Sequence, residues 1–120
     1  MNDEKFKIAL FIQQFKHCYH AGRINADELN SKTTKFLAEV GLPQAVMQKY
    51  IVDHISVANY HFGPSPHHRF PQSRQVMIFS FAYDSYDLYV KIELITYDHQ
   101  MIGGFMSFHP QARPMTRPYA

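Results

Sequence analysis

The sequence predicts an α+β domain in which N-terminal helices pack on a C-terminal antiparallel sheet of three strands or slightly more. Apolar residues recur at three- and four-residue spacings through the first half, the period of an amphipathic helix. From residue 75 onwards the pattern changes to runs rich in β-branched and aromatic residues, separated by short turn-forming segments. With 46% hydrophobic and 15% aromatic content, the 120 residues supply one real core, and neither an internal repeat nor a second domain is visible. The expected organisation is a single domain over 1–120: mainly helical over 1–60, sheet over 75–110, and a basic tail over 111–120.

Between Asp3 and Ala21, the residues Ile8, Phe11, Ile12, Phe15, Cys18 and Tyr19 share one helix face, Gly22 supplies a stop, and His17 and His20 fall toward solvent. Cys18 reads as a small buried apolar residue rather than a nucleophile, since nothing near it in sequence would lower a thiol pKa. The polar stretch INADELNSK leads to a second helix, with Thr33 or Thr34 as its cap, Phe36, Leu37 and Val40 facing inward, and Gly41 as the left-handed C-terminal residue. Pro43 suits the first turn of a third helix with the apolar set Val46, Met47, Tyr50 and Ile51, and Ser56 then caps one more short turn.

The segments QVMIFSFAY (75–83), LYVKIELITY (88–97) and MIGGFMSFHP (101–110) form an antiparallel meander turned by DSYD and DHQ. On the second strand Leu88, Val90, Ile92, Leu94 and Thr96 share one face, and Tyr89, Lys91, Glu93 and Ile95 the other. Helices are expected on the Val90/Ile92/Leu94 face, which leaves Lys91 and Glu93 on an open one. Gly103 and Gly104 within the third strand signal a bulge or a close backbone approach. The closing HPQARPMTRPYA, with three prolines, two arginines and no acid, is expected as an extended basic tail laid over the sheet.

Charge and composition narrow the function classes only modestly. The formal net charge is +2, and eight histidines add to it below their ordinary pKa of about 6.5, so an anionic partner is permitted without being required. A single cysteine excludes an intramolecular disulfide. No stretch approaches the roughly 18 apolar residues of a membrane span, and the start MNDEKFK lacks the basic-then-apolar order of a secretory signal. A soluble cytoplasmic protein without a membrane partner is the expectation.

The stretch His61–Pro71, HFGPSPHHRFP, puts three histidines, three prolines, a glycine and an arginine in one short segment. Imidazole is a common zinc ligand, yet no cysteine pair or HExxH motif accompanies these, and adjacent histidines do not readily aim both rings at one ion, so neither metal nor cofactor is expected. A plain solvent-exposed connection accounts for the prolines but gives no reason for clustering His67, His68 and Arg69. Strand and tail order would bring His68, Arg69, Lys91, His109, Arg113, Arg117 and Tyr119 toward one edge of the open face. Such a group suits phosphodiester chemistry: an imidazole acts as base or acid near neutral pH, while lysine and arginine stabilise charge building on phosphoryl oxygens. In RNA the 2′-hydroxyl is itself the available nucleophile, and its attack gives a cyclic phosphate. The same residues also read structurally, with Lys91 a solvated face lysine, His109 bonded to a carbonyl, and Arg113 and Arg117 stacked on Tyr119.

The order FLAEVGLPQAVMQKYI, ISVANYHFGP, MIFSFAY, DLYVKIEL and MSFHPQARPMTRPY resembles the MqsR-like toxins of bacterial type II toxin–antitoxin systems, within the RelE-like fold class; the match spans about residues 33 to 119. The resemblance implies a metal-independent endoribonuclease, an mRNA interferase that cleaves mRNA, free or on the ribosome, blocks translation, and is silenced by a cognate antitoxin. Carried over position by position, it marks Tyr60 and the Gly63–Pro64 turn as structural, Tyr89 and Lys91 on the central strand, and Ser107 and His109 at the end of the last strand. Lys91 would stabilise the scissile phosphate, His109 would be the first acid or base and His68 the second, with Arg69 a phosphate ligand and Arg113, Arg117 and Tyr119 contacting RNA. Where the family pattern has an acidic residue after the turn, this chain has GPSPHHRF. Two other classes remain: a non-catalytic RNA- or protein-binding module of the same fold, and a histidine metalloprotein.

Overall fold

The computed structural model describes residues 3–120. Helix α1, Asp3–His20, carries Asp3 and Glu4 in its first turn and His17 and His20 in its last, each complementing the helix dipole. It buries Ile8, Phe11, Ile12, Phe15 and Cys18, as the periodicity requires. Helix α2, Ser31–Val40, is capped by Asn30 rather than by Thr33 or Thr34: the Asn30 Oδ1 accepts from the Thr33 N–H at 2.9 Å. Thr33 is instead fully buried, and its hydroxyl accepts from the Phe108 N–H at 2.8 Å. Gly41 ends α2 at φ 69°, in the left-handed region that glycine adopts without a Cβ clash. Helix α3, Gln44–His54, follows Pro43 and buries Met47, Ile51 and Val52, whereas Val46, expected inward, is 50% exposed. Only one narrow stripe of α3 meets the domain. Ser56 then opens a single 3-10 turn over Val57–Asn59, where Asn59 Oδ1 accepts from both the Ser56 N–H and its hydroxyl.

The sheet is mixed and has five strands, two more than the expected meander. Its members are β1 (Ile24–Asn25), β2 (Tyr60–Pro66), β3 (Arg74–Tyr83), β4 (Tyr86–Tyr97) and β5 (Gln100–Pro110), in the spatial order β1-β5-β4-β3-β2. The pairs β2/β3, β3/β4 and β4/β5 are antiparallel, and β1 runs parallel to β5. Strand β1 lay hidden in the polar INADELNSK stretch because two residues make no periodicity; it pairs with β5 at Gly103 and Gly104, whose missing Cβ atoms leave room for Phe15 and Cys18 at the first and for Glu93 at the second. Strand β2 absorbs the first part of HFGPSPHHRFP, and its prolines are tolerated because it is the sheet's edge. The two long hairpins turn where expected, at Asp84–Ser85 and at Asp98–His99, with Asp84, Asp98 and His99 all at positive φ.

One sheet face is closed by the helices, as expected, around Leu88, Val90, Ile92, Phe79, Phe105 and Phe108. The opposite face is not open along its whole length. Val76 is 6% exposed, Glu93 1% and Ile95 7%, because the segments 26–30 and 67–73 fold over that end. Glu93 therefore leaves the solvated position expected for it. Between Lys91 and Ile92 the β4/β5 register slips from Ser107 to Phe105, making Met106 the extra, bulged residue. Two residues away, a Cβ on Gly104 would sit 2.5 Å from the Glu93 Cγ, so the close approach foreseen for the glycine pair is made by this carboxylic side chain.

Past Pro110 the tail crosses the ends of β4, β3 and β2 in turn. The Gln111 side-chain amide donates to the Leu88 carbonyl at 3.0 Å and the Ser80 hydroxyl at 2.8 Å. His61 Nδ1 meets the Thr116 carbonyl at 2.8 Å, and the Tyr119 hydroxyl donates to Glu4 on α1 while its ring lies 5.9 Å from that of Tyr60. Among the described residues no helix is long and apolar enough to cross a membrane.

Candidate functional site

Strand pairing on the face away from the helices sets the site. Tyr89 pairs with Ser80 on one side and His109 on the other, and one step along β4 Lys91 pairs with Ile78 and Ser107. Residues directly opposite on antiparallel strands carry their side chains to the same face. Ser80, Tyr89, Lys91, Ser107 and His109 thus form one continuous patch, with Tyr89, Lys91 and His109 all partly exposed. The Tyr89 and His109 rings stack at 5.2 Å between centroids and 14° between planes. Burial pushes the Tyr89 phenol's pKa up, which keeps it a hydrogen-bond donor.

His109 has a defined tautomer. Its Nδ1 lies 2.9 Å from the Pro110 carbonyl, which only accepts, so Nδ1 carries the proton and the neutral ring keeps its lone pair on Nε2. Ser107 is 5% exposed and its hydroxyl accepts from the Asn30 side-chain amide at 3.1 Å, tying the loop before α2 to the centre of the patch.

The other end of this face carries a charged cluster that the sequence did not announce. Arg74 Nη1 lies 2.7 Å from Glu28 Oε2 and 3.4 Å from Glu93 Oε1, and its guanidinium sits 4.6 Å from the Phe70 ring centroid. The bond to Arg74 holds Glu28 below the usual carboxylate range. Burial pushes Glu93 above it, against the opposing charges of Arg74 and Lys91. The second Glu93 oxygen, Oε2, is buried with no hydrogen-bond partner.

His67, rather than His68, is the histidine drawn inside, at 8% exposure. Its Nδ1 accepts from the Arg69 N–H at 3.1 Å and the Phe70 N–H at 3.3 Å, which puts its ring proton on Nε2, opposite to His109. Burial first, then the charges of Arg74, His68 and Lys91, push its pKa down. His68 stacks on His67 at 5.4 Å and 7°, and both His68 and Arg69 are exposed at this end of the face. The two rings lie parallel instead of converging, and among the described residues no group of three or more His, Cys, Asp or Glu is arranged to hold a metal ion.

The expected residue set therefore divides. Tyr89, Lys91, Ser107 and His109 come together at mid-sheet, Arg113 and Arg117 line a cleft beside them, and His68 and Arg69 stand beyond Lys91 at the far end. Tyr119 leaves the site altogether for α1 and Tyr60. The burial of His67 and Glu93 and their contacts with Arg74 and Glu28 were not foreseen; the unexplained HHR cluster marked only the loop that carries His67. No family model matches the chain, and no curated protein or solved structure is significantly similar to it.

Proposed function

We propose that the chain is a metal-independent endoribonuclease: the toxin of a type II toxin–antitoxin system, MqsR-like in sequence order and RelE-like in fold, that cleaves mRNA, blocks translation and is silenced by a cognate antitoxin. The observation that carries the reading is the His109 tautomer on the patch with Tyr89 and Lys91. An Nε2 lone pair, with Nδ1–H anchored on a carbonyl, is the arrangement of a general base. In the proposed step Nε2 takes the 2′-hydroxyl proton of RNA, the 2′-oxygen attacks phosphorus, and the bond to the 5′-oxygen breaks, leaving a 2′,3′-cyclic phosphate. The Pro110 carbonyl then stabilises the imidazolium that forms. Lys91 stabilises the added charge on the phosphoryl oxygens, the protonated Tyr89 donates to one of them, and His68, the second imidazole at this face, is assigned to return a proton to the leaving oxygen.

One observation favours a second reading, a non-catalytic RNA-binding module of the same fold. His109 lies nearly parallel to Tyr89, which would also serve as a stacking platform for bases. Induced expression in bacteria separates the two, comparing wild type with Lys91→Ala and His109→Ala and mapping new RNA 5′ ends. Growth arrest with recurrent cuts is expected for wild type, reduced by roughly 10²–10⁴ in cleavage rate in His109→Ala while circular dichroism stays unchanged. Soluble, folded wild type that neither arrests growth nor produces cuts would leave the binding module standing.

A further inference from the structure

The strap of residues 67–73 between β2 and β3 carries His68 and Arg69 at its crest, both exposed. Among the described residues neither side chain has a hydrogen bond or ion pair of its own; His68 only stacks on His67. Their placement has to come from the rest of the strap, and the contacts that fix the strap converge on Arg74. We propose that Arg74 is a positioning residue for RNA cleavage, clamping the strap to the sheet and so holding His68 where it can protonate the leaving oxygen. The inference rests on the ribonuclease reading and extends it to a residue outside the reacting groups.

The Arg74 backbone closes the strap at its base. Its carbonyl accepts from the His67 N–H at 3.0 Å, and its own N–H donates to the Phe70 carbonyl at 3.0 Å. The guanidinium then lies 4.6 Å from the centroid of the exposed Phe70 ring, which in turn sits 5.5 Å from the His67 ring. His67 Nδ1 accepts the N–H groups of Arg69 and Phe70, and the His68 ring lies parallel to that of His67. From Arg74 to His68 every link is thus a directional contact.

Two carboxylates from different elements hold the guanidinium in turn. Glu28, on the segment before α2, and Glu93, on β4, both meet Nη1, and Asn25 Nδ2 donates to the same Glu28 oxygen at 3.0 Å. Glu93 is buried and the Arg74 side chain is 18% exposed, so solvent screens this pair little. For stability alone, an apolar residue would serve at a buried strand position as well as a carboxylate does. What Glu93 supplies beyond that is a fixed direction for Arg74, and through it for the strap.

The test is RNA cleavage by purified protein at a mapped cut site, set beside the same RNA with sulfur in place of the scissile 5′-oxygen. A thiolate leaves without a proton, so the sulfur substrate has no need of His68. On ordinary RNA, His68→Ala is expected to slow cleavage by roughly 10²–10⁴ and Arg74→Gln by roughly 10², while both cut the sulfur substrate at close to the wild-type rate. The double variant should be no slower than His68→Ala alone. Phe70→Ala leaves both ion pairs in place and should show the same pattern at a smaller size. Thermal melting reports folding, and where Arg74→Gln fails to fold, Phe70→Ala decides. Equal losses on both substrates, an undiminished rate on ordinary RNA in the folded strap variants, or a fully active His68→Ala overturns the positioning role and leaves the ribonuclease reading intact. A wild type that cuts neither substrate overturns both.

Discussion

His67 holds two backbone N–H groups, of Arg69 and Phe70, on one ring nitrogen, and this makes it a stability element with a pH dependence. Protonation would turn that nitrogen into a donor facing two donors. Its pKa is lowered below 6.5, chiefly by burial, so the unfolded chain binds the proton more readily than the folded one. Stability contributed above pH 6.5 is therefore lost as pH falls from 6.5 toward the folded value. Glu93 has the opposite sign: its pKa is raised above 4.5 by burial, so its contribution is present below 4.5 and lost as pH rises through the raised value. Urea-unfolding midpoints across pH should show the acid-side slope in wild type and its loss in His67→Gln, while Glu93→Gln should flatten the opposite slope. An unchanged acid slope in His67→Gln would remove the ring from the account. Nothing in HHR told His67 from His68; the choice is made by the turn from Pro66 to Phe70, whose N–H groups need an acceptor.

The elements were legible in proportion to their periodicity. α1, β3, β4 and β5 announce themselves through many repeats, and Gly41 and the turn-forming aspartates mark their ends. β1 and β2 did not, since one is two residues long and the other has glycine or proline at three of its seven positions. Alternation on β4 gave the face of Glu93 correctly but not its cover, which comes from Glu28 and Phe70 on connecting segments and from Arg74 at the start of β3. The Gly104/Glu93 contact couples β5 to β4 at this point. Gly104→Ala should cost about 1–3 kcal/mol in chemical denaturation, the range for forced overpacking. Combining it with Glu93→Ala should recover part of that loss, and full additivity of the two would contradict the contact. Asn30 does two tasks, capping α2 and donating to Ser107. Asn30→Ala is expected to lower stability by about 1 kcal/mol, and Asn30→Asp to keep the cap while losing the donor.

At the scale of the whole molecule, the tail joins both ends of the chain. It leaves β5 at Pro110, passes over three strands and ends against α1, where Tyr119 bonds Glu4 and Lys5 lies 5.3 Å from the Tyr119 ring centroid. Tyr119→Ala should release it, and limited digestion with a protease of broad specificity such as proteinase K should then cut faster at Met115–Thr116. Digestion at the wild-type rate would show that Gln111 and His61 suffice. Its basic, proline-rich character was readable in sequence, and so was its course over the sheet. Its attachment to α1 was not, because that contact spans 115 positions and rests on one phenol.

The two margins of the sheet have a consequence for how the protein behaves when concentrated. Along β5, outward backbone groups are already taken: Gly103 by Arg23, Met106 by Asn30, and Phe108 by the Thr33 hydroxyl. Along β2, Pro64 and Pro66 deprive the rim of amide donors. A native copy therefore offers a poor template for an incoming strand at either margin. Fibrillar growth would have to begin from a molecule that has first opened, and seeding with folded protein should not shorten the lag of thioflavin-detected aggregation.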